Sequence, residues 1–370
     1  MKNFDFLIVG AGLYGSVFAR EMTDAGKKCL VIDKRNHQGG NLYCENIEGI
    51  NVHSYGPHIF HTNDKSTWDY VNSFVAFNSF IYSPLASFDG NLYNLPFNMN
   101  TFYQLWKVKT PLEAEQKIKE QIHRYGIINP KNLEEQAISM VGTEIYEMFI
   151  RGYTEKQWGR KACELPKSII KRLPVRLTYD NNYYSDKYQG VPIGGYNQLI
   201  SKLLRGSEVR LGVNFFEQRE LSNLASCLLF TGKLDEFYQY KFGHLEYRSL
   251  KFEYEVLNIA NYQGVAVINY TDKKTPYTRI IEHKHFEYST HDKTVISKES
   301  SEEWTPGKEA YYPINDIINE RKLKQYMELV RKESNVIFGG RLAEYKYYDM
   351  HQIVASARKK AKLIIEINNI

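Results

Sequence analysis

Phe4-Asp5-Phe6-Leu7-Ile8-Val9-Gly10-Ala11-Gly12-Leu13-Tyr14-Gly15 opens the chain as a short apolar run stopped by a glycine loop. From Ser16 to Ala25 apolar residues recur at helical spacing up to Gly26, and Lys28-Cys29-Leu30-Val31-Ile32 repeats the buried-strand pattern. This order predicts a β-α-β unit and, with it, a parallel sheet. The spacing of Gly10, Gly12 and Gly15 lets backbone amides and the helix N-terminus face a pyrophosphate. Asp33 closes the second strand, where a carboxylate accepts hydrogen bonds from an adenosine ribose. A tight turn in an unrelated α/β protein needs only the glycines; strand, helix and acid together point to a dinucleotide.

Working outward, Asp33-Lys34-Arg35 runs on to Gly39-Gly40-Asn41, a second glycine turn directly after the ribose-binding strand. That arrangement resembles FAD-binding flavoproteins. Near the C-terminus, Phe338-Gly339-Gly340-Arg341 followed by Asp349-Met350 and a helix brings another helix N-terminus towards the flavin or its ribityl chain. FAD is therefore favoured over NAD. No second Gly-x-Gly-x-x-Gly occurs, so a nicotinamide site is not expected and the flavin needs an external reductant.

The remaining chain reads in blocks. Trp68 to Phe80 has a helical pattern, and Tyr82 to Leu95 alternates as a hairpin with Asp89-Gly90 at its turn. Thr101 to about Tyr153 carries amphipathic helices, one opening at Pro111 after Thr110 as its cap and another at Asn132-Leu133-Glu134-Glu135 as a capping box. Leu165 to Gln189, rich in Tyr, Lys and Arg and holding two prolines, has the composition of a mobile substrate loop. After Gly194-Gly195 comes an apolar helix, Tyr196 to Leu204; Val209 to Phe216 and Cys227 to Phe230 read as strands returning to the first sheet. Tyr247 to Tyr312 alternates at period two, which predicts an antiparallel sheet, and Asn335 to Gly340 is a strand meeting glycines before a helix from about Asp349. The expected architecture is α/β: a discontinuous, Rossmann-like FAD-binding domain (residues 1–78, 195–240 and 325–370), a helical insertion (96–165), and an antiparallel sheet with the substrate loop (79–95, 166–194 and 241–324).

Composition narrows the function classes. The 370 residues include 48 Lys plus Arg against 43 Asp plus Glu, a net charge of +5 spread without a basic block, so nucleic acid is not expected as a partner. The N-terminus passes within a few residues into a strand, and no apolar run approaches the roughly 20 residues of a membrane helix, so a cytoplasmic protein without a membrane partner is expected. Cys29, Cys44, Cys163 and Cys227 are scattered, which supports neither a disulfide framework nor a metal centre. The 29 Tyr and 19 Phe exceed what packing requires and suit a site for a flat, oxygen-rich ligand.

Six separated motifs, spread in order over the whole chain, resemble the bacterial UDP-galactopyranose mutase family. They are Gly56-Pro-His58-Ile-Phe-His61-Thr62, Gly152-Tyr-Thr-Glu-Lys-Gln-Trp158-Gly159, Lys171-Arg172-Leu-Pro-Val-Arg176, Pro276-Tyr-Thr-Arg279-Ile-Ile-Glu-His283, Tyr311-Tyr312-Pro313, and Gly340-Arg341-Leu followed by Tyr347-Tyr348-Asp349-Met350. The resemblance implies ring contraction without net redox change, interconverting UDP-galactopyranose and UDP-galactofuranose for cell-surface glycan synthesis. Reduced FAD attacks the anomeric carbon through N5 and expels UDP; the covalent flavin-sugar adduct opens, recloses as the furanose and recaptures UDP. Splitting one substitution into two needs a cationic clamp on the leaving pyrophosphate.

Family position gives the clamp to Arg172 and Arg279, whose guanidinium forks match phosphate oxygens. Arg176, four residues on, competes locally, and Arg172 on its own reads equally as a solvated charge. Phe149, Tyr153, Thr154, Trp158 and Tyr183 fall where the family binds uridine, although core packing is the bland reading of any such aromatic cluster. Tyr311, Tyr312 and Tyr347 would donate hydroxyls to the diphosphate, the doubled tyrosines leaving the register open by one. His58 and His61 admit three roles: a metal pair, disfavoured because no carboxylate or thiol stands nearby in sequence; a base; or a shelf by the flavin. The family places His61, with Ile59, nearer the isoalloxazine and His58 facing the sugar, while satisfied core histidines remain the alternative. Gly10, Gly12, Leu13, Gly15, Asp33, Lys34, Arg35, Gly39, Gly40, Asn41, Gly340, Arg341, Tyr347, Asp349 and Met350 complete the expected cofactor set. Tyr82 stands where family members carry an Asn near the sugar, which makes UDP-N-acetylgalactosamine a variant substrate. An amine-oxidase-like FAD oxidoreductase and an inactive nucleotide-sugar-binding protein are the alternatives from other classes. The helical insertion is a plausible homodimer surface.

Overall fold

The computed structural model describes residues 2–172 and 175–368, with the side chains at 171, 172 and 368 outside the described set. Strand β1 (Phe4–Val9), helix α1 (Leu13–Asp24) and strand β2 (Cys29–Asp33) form the expected unit, with β1 and β2 parallel and Phe6 beside Cys29. Glu208–Leu211 adds beside β2, while Ala225–Phe230 and then Val336–Phe338 add on the other side, so five parallel strands are drawn from three distant parts of the chain. Leu7, Ile8 and the run Leu30 to Ile32 are wholly buried, as strands covered on both faces must be. Helix α1 packs against the C-terminal helix Met350–Asn368 on one face. The strand read as Val209 to Phe216 stops at Leu211, where Gly212 turns with φ +68°.

A second sheet has seven strands in the order Tyr312–Pro313, Tyr247–Leu257, Thr294–Glu303, Arg279–Glu282, Val267–Tyr270, Leu85–Phe88, Asn91–Asn94. The Asp89-Gly90 hairpin forms as read, both residues taking positive φ (46° and 79°). The antiparallel expectation needs one correction: Leu85–Phe88 pairs in parallel with Val267–Tyr270. The hairpin reaches the sheet from a distant part of the chain, and period-two alternation carries no information on direction.

Between the hairpin and the long antiparallel strands stand the helices Met99–Trp106, Pro111–Tyr125 and Leu133–Ile145. Asn98, Thr110 and Asn132 cap them, Thr110 and Glu113 forming a reciprocal box. At Gly142 (φ 81°, ψ 174°) the third helix breaks, and Gln121 Oε1 accepts the amide of Glu144 at 2.9 Å. A π-helical turn, Tyr146–Arg151, follows and runs into the helix Gly152–Trp158, which Gly159 ends at φ +66°. The helix expected over Trp68 to Phe80 is instead Lys65–Phe74, capped by Asp64. Asn78 holds the extended chain beyond it, donating to Phe286 O (2.8 Å) and accepting from Val191 N (3.0 Å). No described helix is long and apolar enough to cross a membrane.

Candidate functional site

The glycine loop and the second glycine turn make one cradle. Gly39 N donates to Ala11 O at 2.8 Å, and a Cβ on Gly40 would come within 3.0 Å of Gly12 Cα, so the two turns touch backbone to backbone. A Cβ on Gly15 would collide with Gly10 O, which is why helix and strand approach so closely here. Gly12 caps α1 without any side-chain acceptor, leaving first-turn amides for an anion. Asp33 braces the loop: Oδ2 accepts from Ala11 N (2.8 Å) and Oδ1 from Arg35 N (2.9 Å). Arg35 pairs with Glu309 (2.8 Å), donates to Asn41 Oδ1 (3.0 Å) and covers the Tyr55 ring; Lys34 reaches the same Glu309 at 3.3 Å. At the far end Gly339 lies against the Tyr14 ring and Gly340 takes φ +90°. Uncapped amides, glycines that a Cβ would fill and a buried acid at the strand end fit a dinucleotide such as FAD.

Beside the cradle opens a cavity of about 1010 Å³, bounded by the second sheet, the π turn and its following helix, residues 183–186 and the start of the C-terminal helix. Phe149, Tyr153, Thr154, Trp158 and Tyr183 line it together with Arg279, Tyr312, Ile59, His61, Tyr347 and Asp349. Phe149 in the π turn and Tyr153 in the helix that follows are four residues apart, the spacing of one helix face, and both line the cavity. Arg279 Nε lies 2.8 Å from Glu299 Oε2, the carboxylate being almost wholly buried, yet neither atom is aligned for a hydrogen bond. Burial works against the guanidinium charge, but Glu299 outweighs it and keeps Arg279 firmly protonated. Burial also pushes the Tyr183 hydroxyl up to about 12 and those of Tyr153 and Tyr312 upwards, so all three stay neutral donors. Arg341 stands behind the lining, donating to Tyr348 O (2.7 Å) and lying 5.1 Å from the ring centre of Tyr347, which does line the cavity.

The two histidines part company. His61 sits on the strand Phe60–Thr62, where its Nδ1–H donates to Asp186 Oδ2 at 2.6 Å and its ring stacks on Tyr184 at 3.7 Å. An ionised carboxylate can only accept, so the bond fixes the tautomer and leaves Nε2 for the cavity side. His58 is held neutral, its pKa lowered to about 4 by burial and by Arg341, and its backbone N donates to His53 Nδ1 at 3.1 Å. The absence of a carboxylate near these histidines is true only along the sequence: Asp186 is bonded to His61, and ligand atoms of His61, Asp349 and His351 lie within 4.8 Å of one another.

Most residues singled out from the sequence converge on the cradle or the cavity. Tyr311 is placed elsewhere: on a strand neighbours face opposite ways, so Tyr312 lines the cavity while Tyr311 is buried towards Arg35, Glu309 and Phe252. Arg172 ends the short 3-10 helix Lys167–Arg172, and its side chain falls outside the described residues. Arg176 lines the cavity but spends its guanidinium on Asn182 O and Tyr183 O. Asp186, Glu299 and Lys156 escape sequence reasoning; the pairing of Arg279 opposite Glu299 on adjacent strands is the signal that finds Glu299 once register is known.

Residues 148–347 match the family model described as UDP-galactopyranose mutase, and residues 8–74 match an NAD(P)-binding Rossmann-like domain. A probable UDP-galactopyranose mutase of Klebsiella pneumoniae is 40% identical over 98% of this chain and 94% of its own length. A dTDP-fucopyranose mutase of Escherichia coli is also 40% identical, over 98% of both chains. Among solved structures, reduced UDP-galactopyranose mutase superposes with a TM-score of 0.77 at 14% identity, covering 99% of this chain and 95% of its own, a likeness of fold. Together with the cradle and the arginine-tyrosine cavity, these matches show that the chain belongs to the UDP-galactopyranose mutase family.

Proposed function

We propose that the protein is a flavin-dependent isomerase interconverting UDP-galactopyranose and UDP-galactofuranose. The observation that carries this reading is one cavity, beside the dinucleotide cradle, holding a buried guanidinium among three neutral phenols. Bound and reduced, FAD supplies the nucleophilic nitrogen and no net electrons are consumed. The nucleoside lies along Phe149, Tyr153, Thr154 and Trp158. Arg279, with Tyr312, Tyr183 and Tyr347, holds the diphosphate and stabilises it as it leaves, charge-assisted hydrogen bonds being worth roughly 1.5–3 kcal/mol each. Arg172 joins this clamp when the 165–189 loop closes over the substrate. Under this proposal the oriented His61, which lines the cavity, and neutral His58 near it flank the sugar, and His61 Nε2 accepts and returns a hydroxyl proton during ring opening and closure. In this reading the enzyme works in the cytoplasm as a homodimer, takes electrons from an external reductant, and serves cell-surface glycan synthesis.

The equal identity to a dTDP-fucopyranose mutase supports a second reading, the same chemistry on a dTDP-6-deoxyhexose. Tyr82 on the cavity wall keeps UDP-N-acetylgalactosamine as a third substrate to test. Purified protein, checked for bound flavin by its visible spectrum, is incubated anaerobically with UDP-galactofuranose, UDP-N-acetylgalactofuranose and dTDP-fucofuranose, with and without dithionite. Conversion only when reduced supports the isomerase and ranks the sugars. A yellow protein that converts none of them but oxidises an amine overturns it.

A further inference from the structure

The helix Gly152–Trp158 carries Tyr153, Thr154 and Trp158 on its cavity side, and Lys156 leaves it on another side. Its ammonium donates to three main-chain carbonyls, Tyr270 O (2.7 Å), Thr275 O (3.0 Å) and Tyr277 O (3.0 Å). Tyr270 ends the strand Val267–Tyr270, and Thr275 and Tyr277 lie in the connection from it to the strand Arg279–Glu282, which begins at Arg279. Two further contacts close the same seam. Glu155 pairs with Lys273 at 2.5 Å, and Gly152 abuts Thr271 O so closely that no Cβ fits between them. The connection is itself ordered, Asp272 accepting from Thr275 N at 2.8 Å and Thr278 N donating to Glu299 O at 2.7 Å. Three carbonyls converging on one ammonium saturate its donors and hold it protonated against the burial that lowers the Lys156 pKa to about 8.

We infer that Lys156 is a positioning residue that sets the distance between the nucleoside-contacting helix and Arg279, so that the two ends of a nucleoside diphosphate are bound together at matched spacing. The inference rests on the nucleotide reading of the cavity given above. It has a signature that a residue shaping one subsite lacks. Joining two weakly bound fragments strengthens binding only while the two subsites keep the spacing of the joined molecule. Loss of the clip therefore affects the joined ligand and spares the fragments.

The test is Lys156→Met, which keeps the aliphatic stem and removes the ammonium, assayed by displacement of a fluorescent UDP conjugate with UDP, uridine and inorganic pyrophosphate. UDP affinity is expected to fall about 10-fold, with uridine and pyrophosphate each within about twofold of wild type. KM for the UDP-sugar rises correspondingly while kcat holds within about twofold. Lys156→Gln, retaining one donor pair, gives an intermediate loss and serves as the readout if the Met variant does not fold. Unchanged UDP affinity overturns the inference. So does a loss of uridine binding parallel to that of UDP, which makes Lys156 part of the base pocket only. Wild-type protein that binds no UDP removes the nucleotide reading itself, a distinct result from wild type binding UDP with both variants unchanged.

Discussion

Replacing Glu299 by Gln keeps shape and removes one charge from the buried pair with Arg279. Their polar atoms are 2.8 Å apart, which at an effective dielectric of 20 is an attraction of about 6 kcal/mol. The arginine faces a water-accessible cavity, so the net loss is smaller, about 3 kcal/mol, the low end of what unpairing a buried charge costs. With roughly 2.1 cal/mol/K of unfolding entropy per residue over 370 residues, that becomes an apparent Tm lower by about 4 °C. The sign reverses with ligand: in the variant the diphosphate becomes the only strong counter-charge for Arg279. A saturating concentration of UDP therefore raises Tm more in Glu299→Gln than in wild type. Turnover falls all the same, about 10-fold, because the guanidinium loses the partner that orients it. Differential scanning fluorimetry with and without UDP, together with steady-state kinetics, reads all three. Equal UDP shifts in the two proteins would refute the reasoning, whatever happens to Tm.

Tyr312→Phe lowers kcat/KM for the UDP-sugar by at least about 10-fold, the worth of one hydroxyl to a charged phosphate, while Tyr311→Phe stays within about twofold; the reverse ranking overturns the register assigned here. Gly15→Ala forces α1 off β1, and the purified variant is expected to hold less than about half the wild-type flavin by visible absorbance. Acid weakens the fold through three buried histidines. His283 is lowered to about 3 by burial, His58 to about 4 by burial and Arg341, and His53 well below its ordinary range by burial and by its neighbours His283 and His58. Their folded values are depressed, so unfolding takes up protons as pH drops through 6.5. Stability present above that pH is lost towards pH 4, at about 1.4 kcal/mol per pH unit for each histidine. A flat Tm between pH 7 and 5 counts against this.

What the sequence discloses is local. The β-α-β unit, the Asp89-Gly90 turn and the cap at Thr110 are each decided within a few residues and form as read; the box read at Asn132 forms by half, Asn132 Oδ1 accepting from Glu135 N while the Glu135 carboxylate takes the amide of Lys131. What it conceals is pairing at a distance. His61 and Asp186 are 125 positions apart, and Leu85–Phe88 meets Val267–Tyr270 across about half of the chain. The helical pattern after Trp68 overruns because Asn78, silent in any periodicity, anchors extended chain through bonds to Phe286 and Val191. Tyr311 and Tyr312 are chemically identical, and only their opposite facing where the extended chain enters the two-residue strand Tyr312–Pro313 separates them. The arginine of the 165–189 loop that family position favours, Arg172, has its side chain outside the described residues.

The π turn at Tyr146–Arg151 has a bearing on how this lineage tolerates insertions and deletions. A turn that wide contains one residue more than an α-helical turn, and each helical residue advances the side-chain direction by about 100°. The wide turn absorbs that extra residue, so deleting one residue within it restores a regular helix and leaves the downstream side chains near their present facing, whereas a deletion inside Gly152–Trp158 turns Trp158 by about 100° off the cavity wall. Length changes among relatives are therefore expected at the turn itself, with the count from Gly152 to Gly159 kept.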